Sequence, residues 1–154
     1  MITAEEFNNL TSEEQMDTVE TMTAEERMQL VKGLFPNFRM KITKMGWDNE
    51  GRNKYKVTIS NGGKPFSTVF YDSLYNTQKD LRSEDFHILY CVVSDAQAVE
   101  YCDTLEEFCS EFGYDMEIDK PNKIYKACQR AYDNLTETFG SDGYDILRDL
   151  TYNF

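Results

Sequence analysis

Six carboxylates crowd one short stretch near the middle of the chain, CDTLEEFCSEFGYDME: Asp103, Glu106, Glu107, Glu111, Asp115 and Glu117. On a helix, residues four apart rise about 6 Å, close to two phosphate steps of about 3.4 Å along one DNA strand. Glu106, Glu107 and Glu111 point away from the apolar positions of their segment, and Asp103, Asp115 and Glu117 flank them. Such an array can imitate a phosphate backbone, so these six residues are predicted to bind a partner. The plainer reading is a solvated acidic surface, because charge runs usually face water.

Other chemistry is harder to assemble. His87 is the single histidine, and it falls on the early side of an apolar segment, where it is expected to be exposed. A general base needs a positioned partner, and no serine or cysteine nucleophile is marked by its local sequence. Asp115, Glu117 and Asp119 alternate as in a calcium loop, yet Lys120 stands where that loop needs glycine and Lys126 where it needs a bidentate glutamate. Cys91, Cys102, Cys109 and Cys128 include no CxxC pair, which removes the usual zinc and redox signatures. They are expected to be thiols, three of them on apolar helix faces. The expectation is a protein that is not an enzyme and takes no metal or cofactor.

The elements that would position the acidic stretch are legible from caps and periodicity. Thr3-Ala-Glu-Glu6, Thr11-Ser-Glu-Glu14 and Thr23-Ala-Glu-Glu26 repeat one capping box, in which a hydroxyl accepts from the N3 amide and the N3 glutamate reaches back to the cap. They predict three short helices before Pro36. From Phe38 the apolar period becomes 2, with Phe38, Met40 and Ile42 alternating against Arg39, Lys41 and Thr43, then Tyr55, Val57 and Ile59 against Lys54, Lys56 and Thr58. Turn residues at 48–51 and 61–63 and a third strand, PFSTVFY, complete an antiparallel meander with one apolar and one basic face.

After a connection at 72–82, Ser83 is predicted to cap a largely apolar central helix containing Phe86, Ile88, Leu89, Val92 and Val93. Thr104-Leu-Glu-Glu107 reads as a fourth capping box. It opens the acidic helix, with Leu105, Phe108, Cys109 and Phe112 inward and Gly113 just past its end. Asp119 caps the longest helix, where Ile124, Cys128, Ala131 and Leu135 share a face and Gly140 can close it. A last amphipathic turn or two, YDILRDL, packs back onto the domain.

Charge is distributed as unevenly as the elements. The net charge is −12: residues 1–38 hold eight acids against two bases, residues 39–64 hold seven bases against two acids, and residues 72–154 hold eighteen acids against seven bases. A basic strand face with Trp47 or Tyr71 for stacking suits single-stranded nucleic acid, but the field of so acidic a molecule repels a polyanion. No direct nucleic-acid binding is expected. No basic leader followed by an apolar run, and no apolar run of about 18 residues, marks a signal or a membrane span, so no membrane partner and a cytoplasmic location in a bacterial host cell are expected.

The segments ILYCVVSDA, TLEEFCSEFGYD and IYKACQRAYDNL resemble a family of small acidic proteins encoded by bacteriophages and other mobile elements. The resemblance covers about residues 54–139, including an upstream hairpin, and departs at Glu117-Ile-Asp-Lys-Pro-Asn122 and in the N-terminal helices. It implies a phage accessory protein rather than a reaction. Inhibitors of CRISPR and restriction systems belong to that class, so the implied partner is a bacterial protein complex such as a CRISPR effector. The alternative is a non-enzymatic structural or assembly module of a phage.

The expected fold is α+β and a single domain over 1–154. A three-stranded meander at 38–71 packs on helices of 83–154, and residues 1–36 form a helical extension.

Overall fold

The structure, a computed structural model, describes residues 1–47, 52–73, 85–116 and 120–154. The fold is α+β. Among the described residues it comprises helices α1 (Ala4–Asn8), α2 (Ser12–Glu20) and α3 (Ala24–Leu34), strands β1 (Phe38–Trp47), β2 (Arg52–Asn61) and β3 (Phe66–Ser73), then α4 (Asp85–Glu100), α5 (Leu105–Phe112) and α6 (Lys120–Leu150).

The three N-terminal helices start where the capping boxes place them. In each, a threonine hydroxyl accepts from the N3 amide and the N3 glutamate accepts from the threonine amide, with bonds of 3.1 and 3.4 Å at Thr3, 3.2 and 3.0 Å at Thr11, and 3.2 and 3.2 Å at Thr23. These bonds satisfy amides that a helix start otherwise leaves unpaired. Ser83, expected to cap α4, lies outside the described residues, as do Asp119 and the turn at 48–51.

The sheet is an antiparallel meander of order β1-β2-β3. Its register sets Met40 opposite Ile59 and Ile42 opposite Val57, and on the other side Ile59 opposite Phe66 and Val57 opposite Thr68. Because side chains alternate, this register gathers the apolar residues on one face. The register shifts between Lys44 and Gly46, a bulge that leaves Met45 exposed. Arg39, Lys41 and Lys56 stand exposed on the opposite face and Lys54 is half-buried there.

Tertiary packing joins the N-terminal helices to the rest. Val19, Leu30 and Val31 lie in one core cluster with Ile59 of the sheet, Leu89 and Val93 of α4, and Leu135 of α6. The segment 1–36 is therefore a wall of the core, more deeply built in than an extension capping a finished domain. The α4 helix is buried at Phe86, Ile88, Leu89, Val92, Val93 and Ala96, and its main partner is α6.

The α6 helix is interrupted where a closing glycine was expected. Gly140 breaks it with φ 76° and ψ 166°, a region that only glycine enters without strain. The chain then resumes a helix and carries Tyr144, Leu147 and Leu150 into the main core, all essentially inaccessible. The expected last turn or two is a full second limb. Arg148 ties it to the last turn of α4 through a 2.9 Å ion pair with Glu100.

Candidate functional site

The acidic helix α5 starts at the N-cap Thr104, whose hydroxyl accepts from the Glu107 amide at 3.1 Å. The expected fourth capping box is altered, since Glu107 Oε2 accepts from the Asp103 amide at 3.0 Å instead of from Thr104. Reaching one residue further back folds the CDT segment over the helix start. The helix ends at Gly113, left-handed at φ 73° and ψ 29°, as expected of a helix-terminating glycine.

A satellite core fixes α5 against α6. Phe108, Cys102, Tyr125 and Cys128 are buried together, with Leu105 and Ile124 beside them. Fully burying a side chain such as Phe108 contributes roughly 1.5–3 kcal/mol. The Tyr125 hydroxyl donates to the Cys102 carbonyl at 3.1 Å, and the Tyr125 ring lies 5.2 Å from that of Phe108. This small cluster holds a short helix that could not persist alone.

The structure exposes Asp103, Glu106, Glu107, Glu111 and Asp115; Glu117 lies outside the described residues. The charges of three of them reach one buried thiol. Burial first, and then the charges of Glu111, Glu107 and Asp103, raise the Cys102 thiol above its ordinary pKa. One negative potential therefore spans the start and the middle of α5.

Apolar groups accompany the acids. Phe112, expected to face inward, is 48 % exposed, and Met116 and Tyr114 follow it onto the surface at 50 % and 37 %. Phe112 shares the face of Leu105, Phe108 and Cys109, but it is not among the residues buried in the satellite core. Its ring rests on Phe108 at 4.9 Å, and Tyr114 stacks on the same ring at 5.8 Å. Sequence periodicity counts Phe112 as core because it cannot see where the neighbouring helix ends. The run Phe112-Gly113-Tyr114 offered the available hint, since a left-handed glycine turns the chain away between two aromatics.

On the flank of α5, the residues Cys102, Asp103, Tyr125, Lys126, Arg130 and Asp133 are among those lining an open groove of about 490 Å³. Its mixture of charges contrasts with the uniformly acidic outer side of α5. The basic sheet face stands apart from both, and there Arg39 Nη1 donates to the Pro36 and Phe38 carbonyls. The side chains of Trp47 and Tyr71, considered as stacking residues, lie outside the described ones.

His87 is half-buried, contrary to the expected exposed position. Its ring packs near Phe70 at 6.4 Å, Tyr90 at 6.1 Å and Phe154 at 6.0 Å. Cys91, one turn on, places Sγ 3.7 Å from His87 Nε2. Cys102, Cys109 and Cys128 are buried and Cys91 is half-buried, and none of the four is in a disulfide. Among the described residues, no three histidine, cysteine or acidic side chains are grouped to hold a metal, and no helix is long and apolar enough to cross a membrane.

Comparison of the chain with protein-family models, with curated proteins and with solved structures finds no match. The class of protein defined by fold and site is thus an α+β domain presenting an acidic, aromatic-tipped helix.

Proposed function

We propose that this protein is a phage or mobile-element accessory protein of the anti-CRISPR kind, a binding protein that inhibits a bacterial nucleic-acid-handling complex through the outer side of α5. The observation carrying this reading is the juxtaposition of exposed Glu106, Glu107, Glu111 and Asp115 with exposed Phe112, Tyr114 and Met116. The resemblance of the segments at 88–135 to small acidic phage proteins supports the choice of partner class.

Protein interfaces concentrate affinity in a few central aromatic or apolar anchors, while surrounding charges govern encounter rate and register. Aromatic rings already packed on Phe108 lose little freedom when they dock. The carboxylates suit a cationic groove that otherwise holds DNA or RNA, and the apolar tip adds contacts that a phosphate backbone lacks. Asp103 extends the same proposed surface.

The test is a pull-down from the bacterial host with tagged protein, run beside the triple variant Glu106→Gln, Glu107→Gln and Glu111→Gln. Glutamine preserves helix propensity and side-chain size. The expected result is a nuclease or other nucleic-acid-handling complex that is released by salt, competed by duplex and lost from the triple variant. Capture of a phage structural protein would favour the assembly-module alternative, and unchanged binding by the triple variant would move recognition away from α5.

A further inference from the structure

Cys91 and His87 form a pair on α4 that the proposed binding surface on α5 does not use. We infer that Cys91 is a selectively reactive thiol, a modification site for low-molecular-weight disulfides, with His87 as the group that receives its proton. Two sets of observations converge on this assignment.

The first is geometric. Cys91 Sγ and His87 Nε2 are 3.7 Å apart, one helical turn from each other, and three flanking rings, Phe70, Tyr90 and Phe154, restrict the imidazole. A neutral imidazole with its proton on Nδ1 presents Nε2 as an acceptor. The thiolate is the nucleophile in exchange, and an adjacent histidine is one of the groups that favours it.

The second is the contrast with the other cysteines. Cys102, Cys109 and Cys128 are all buried, whereas Cys91 is partly open to solvent. Burial also raises the Cys102 thiol pKa, and pushes that of Cys128 up to about 11. Both remain thiols at neutral pH. Access and a proton acceptor meet at Cys91.

The reaction balances without a further oxidant. The Cys91 proton passes to His87 Nε2, and Sγ attacks one sulfur of the disulfide. The S–S bond breaks, a mixed disulfide forms on Cys91, and the other half leaves as a thiolate while His87 returns its proton to solvent. Cys91 is oxidised and the departing half reduced.

The full chain is mixed with dithiobis-nitrobenzoate without denaturant, and release of the coloured thiolate is followed in time. A single thiol should react ahead of the rest, peptide mapping should place it at Cys91, and Cys91→Ser should abolish the fast phase. His87→Gln should slow that phase by about threefold, a modest factor because solvent can also take the thiol proton. Denatured parent and variant should react at equal rates. Should His87→Gln fail to give the parent's circular dichroism, His87→Asn serves the same comparison. A fast phase on another cysteine, no fast phase at all, or an unchanged rate in the folded histidine variant would overturn the inference.

Discussion

Arg27 donates from Nη1 to the carbonyl oxygen of Tyr152 at 2.7 Å, joining α3 to the turn that follows α6. The same nitrogen donates to the Leu150 carbonyl at 3.2 Å, and the guanidinium carbon lies 5.6 Å from the centre of the Phe154 ring. Arg27 is 3 % exposed, and burial lowers its pKa. Arg27→Met keeps much of the side-chain bulk but strips the donor from two helix-end carbonyls. The expected loss is about 2–4 kcal/mol, read as a lower urea midpoint. An unchanged midpoint would mean that water replaces the arginine without cost.

Removing residues 1–36 should abolish cooperative folding. Val19, Leu30 and Val31 are completely buried in the main core, and the truncation also deletes Arg27. A melting curve followed by circular dichroism checks this. A sharp transition in the 37–154 fragment would show that the remaining helices and sheet close a core by themselves.

Two glycine substitutions separate backbone strain from packing. A Cβ at Gly140 meets nothing within 4 Å, so Gly140→Ala should cost about 1–3 kcal/mol from its φ and ψ alone. Gly113 is left-handed and equally unobstructed. Asparagine tolerates that conformation, and Gly113→Asn should cost less than about 1 kcal/mol. Denaturant midpoints for the two variants should therefore differ in that order, and the reverse order would contradict the assigned conformations.

Alkaline pH should destabilise the fold through Cys128. Burial, reinforced by the charge of Asp95, pushes its thiol up to about 11, above the ordinary value of about 8.5 expected in the unfolded chain. A group whose pKa is raised by folding contributes stability that is complete below the unfolded value and fades as pH rises towards the folded one. The urea midpoint should thus decline between about pH 8.5 and pH 11, and less steeply in Cys128→Ala. Equal slopes for parent and variant would remove Cys128 as a cause.

The secondary elements were readable because their signals are local. Each TxEE box needs four consecutive residues to close its hydrogen bonds, and the alternation around Met40 and Ile59 already carries the face that the sheet turns inward. The acidic residues of α5 were legible for a related reason: they occupy the polar positions of a short amphipathic helix. Phe112 and His87 were misplaced because exposure at a helix end or beside a sheet depends on where other elements stop. Periodicity along one segment carries no record of that.

By itself, then, the sequence determined the α+β class, the start of each N-terminal helix, the two faces of the meander and the acid-rich side of α5, all consequences of side-chain chemistry within a few residues. The tertiary structure alone decided that α1–α3 wall the core, that Tyr144, Leu147 and Leu150 reach its centre, and that Phe112 surfaces among the carboxylates. It also brought Phe70 of β3 and the chain's last residue, Phe154, against the ring of His87, whose pairing with Cys91 one turn on is local to α4. Those outcomes depend on contacts between residues far apart in the chain, where the burial of one apolar face is completed only by the shape of another.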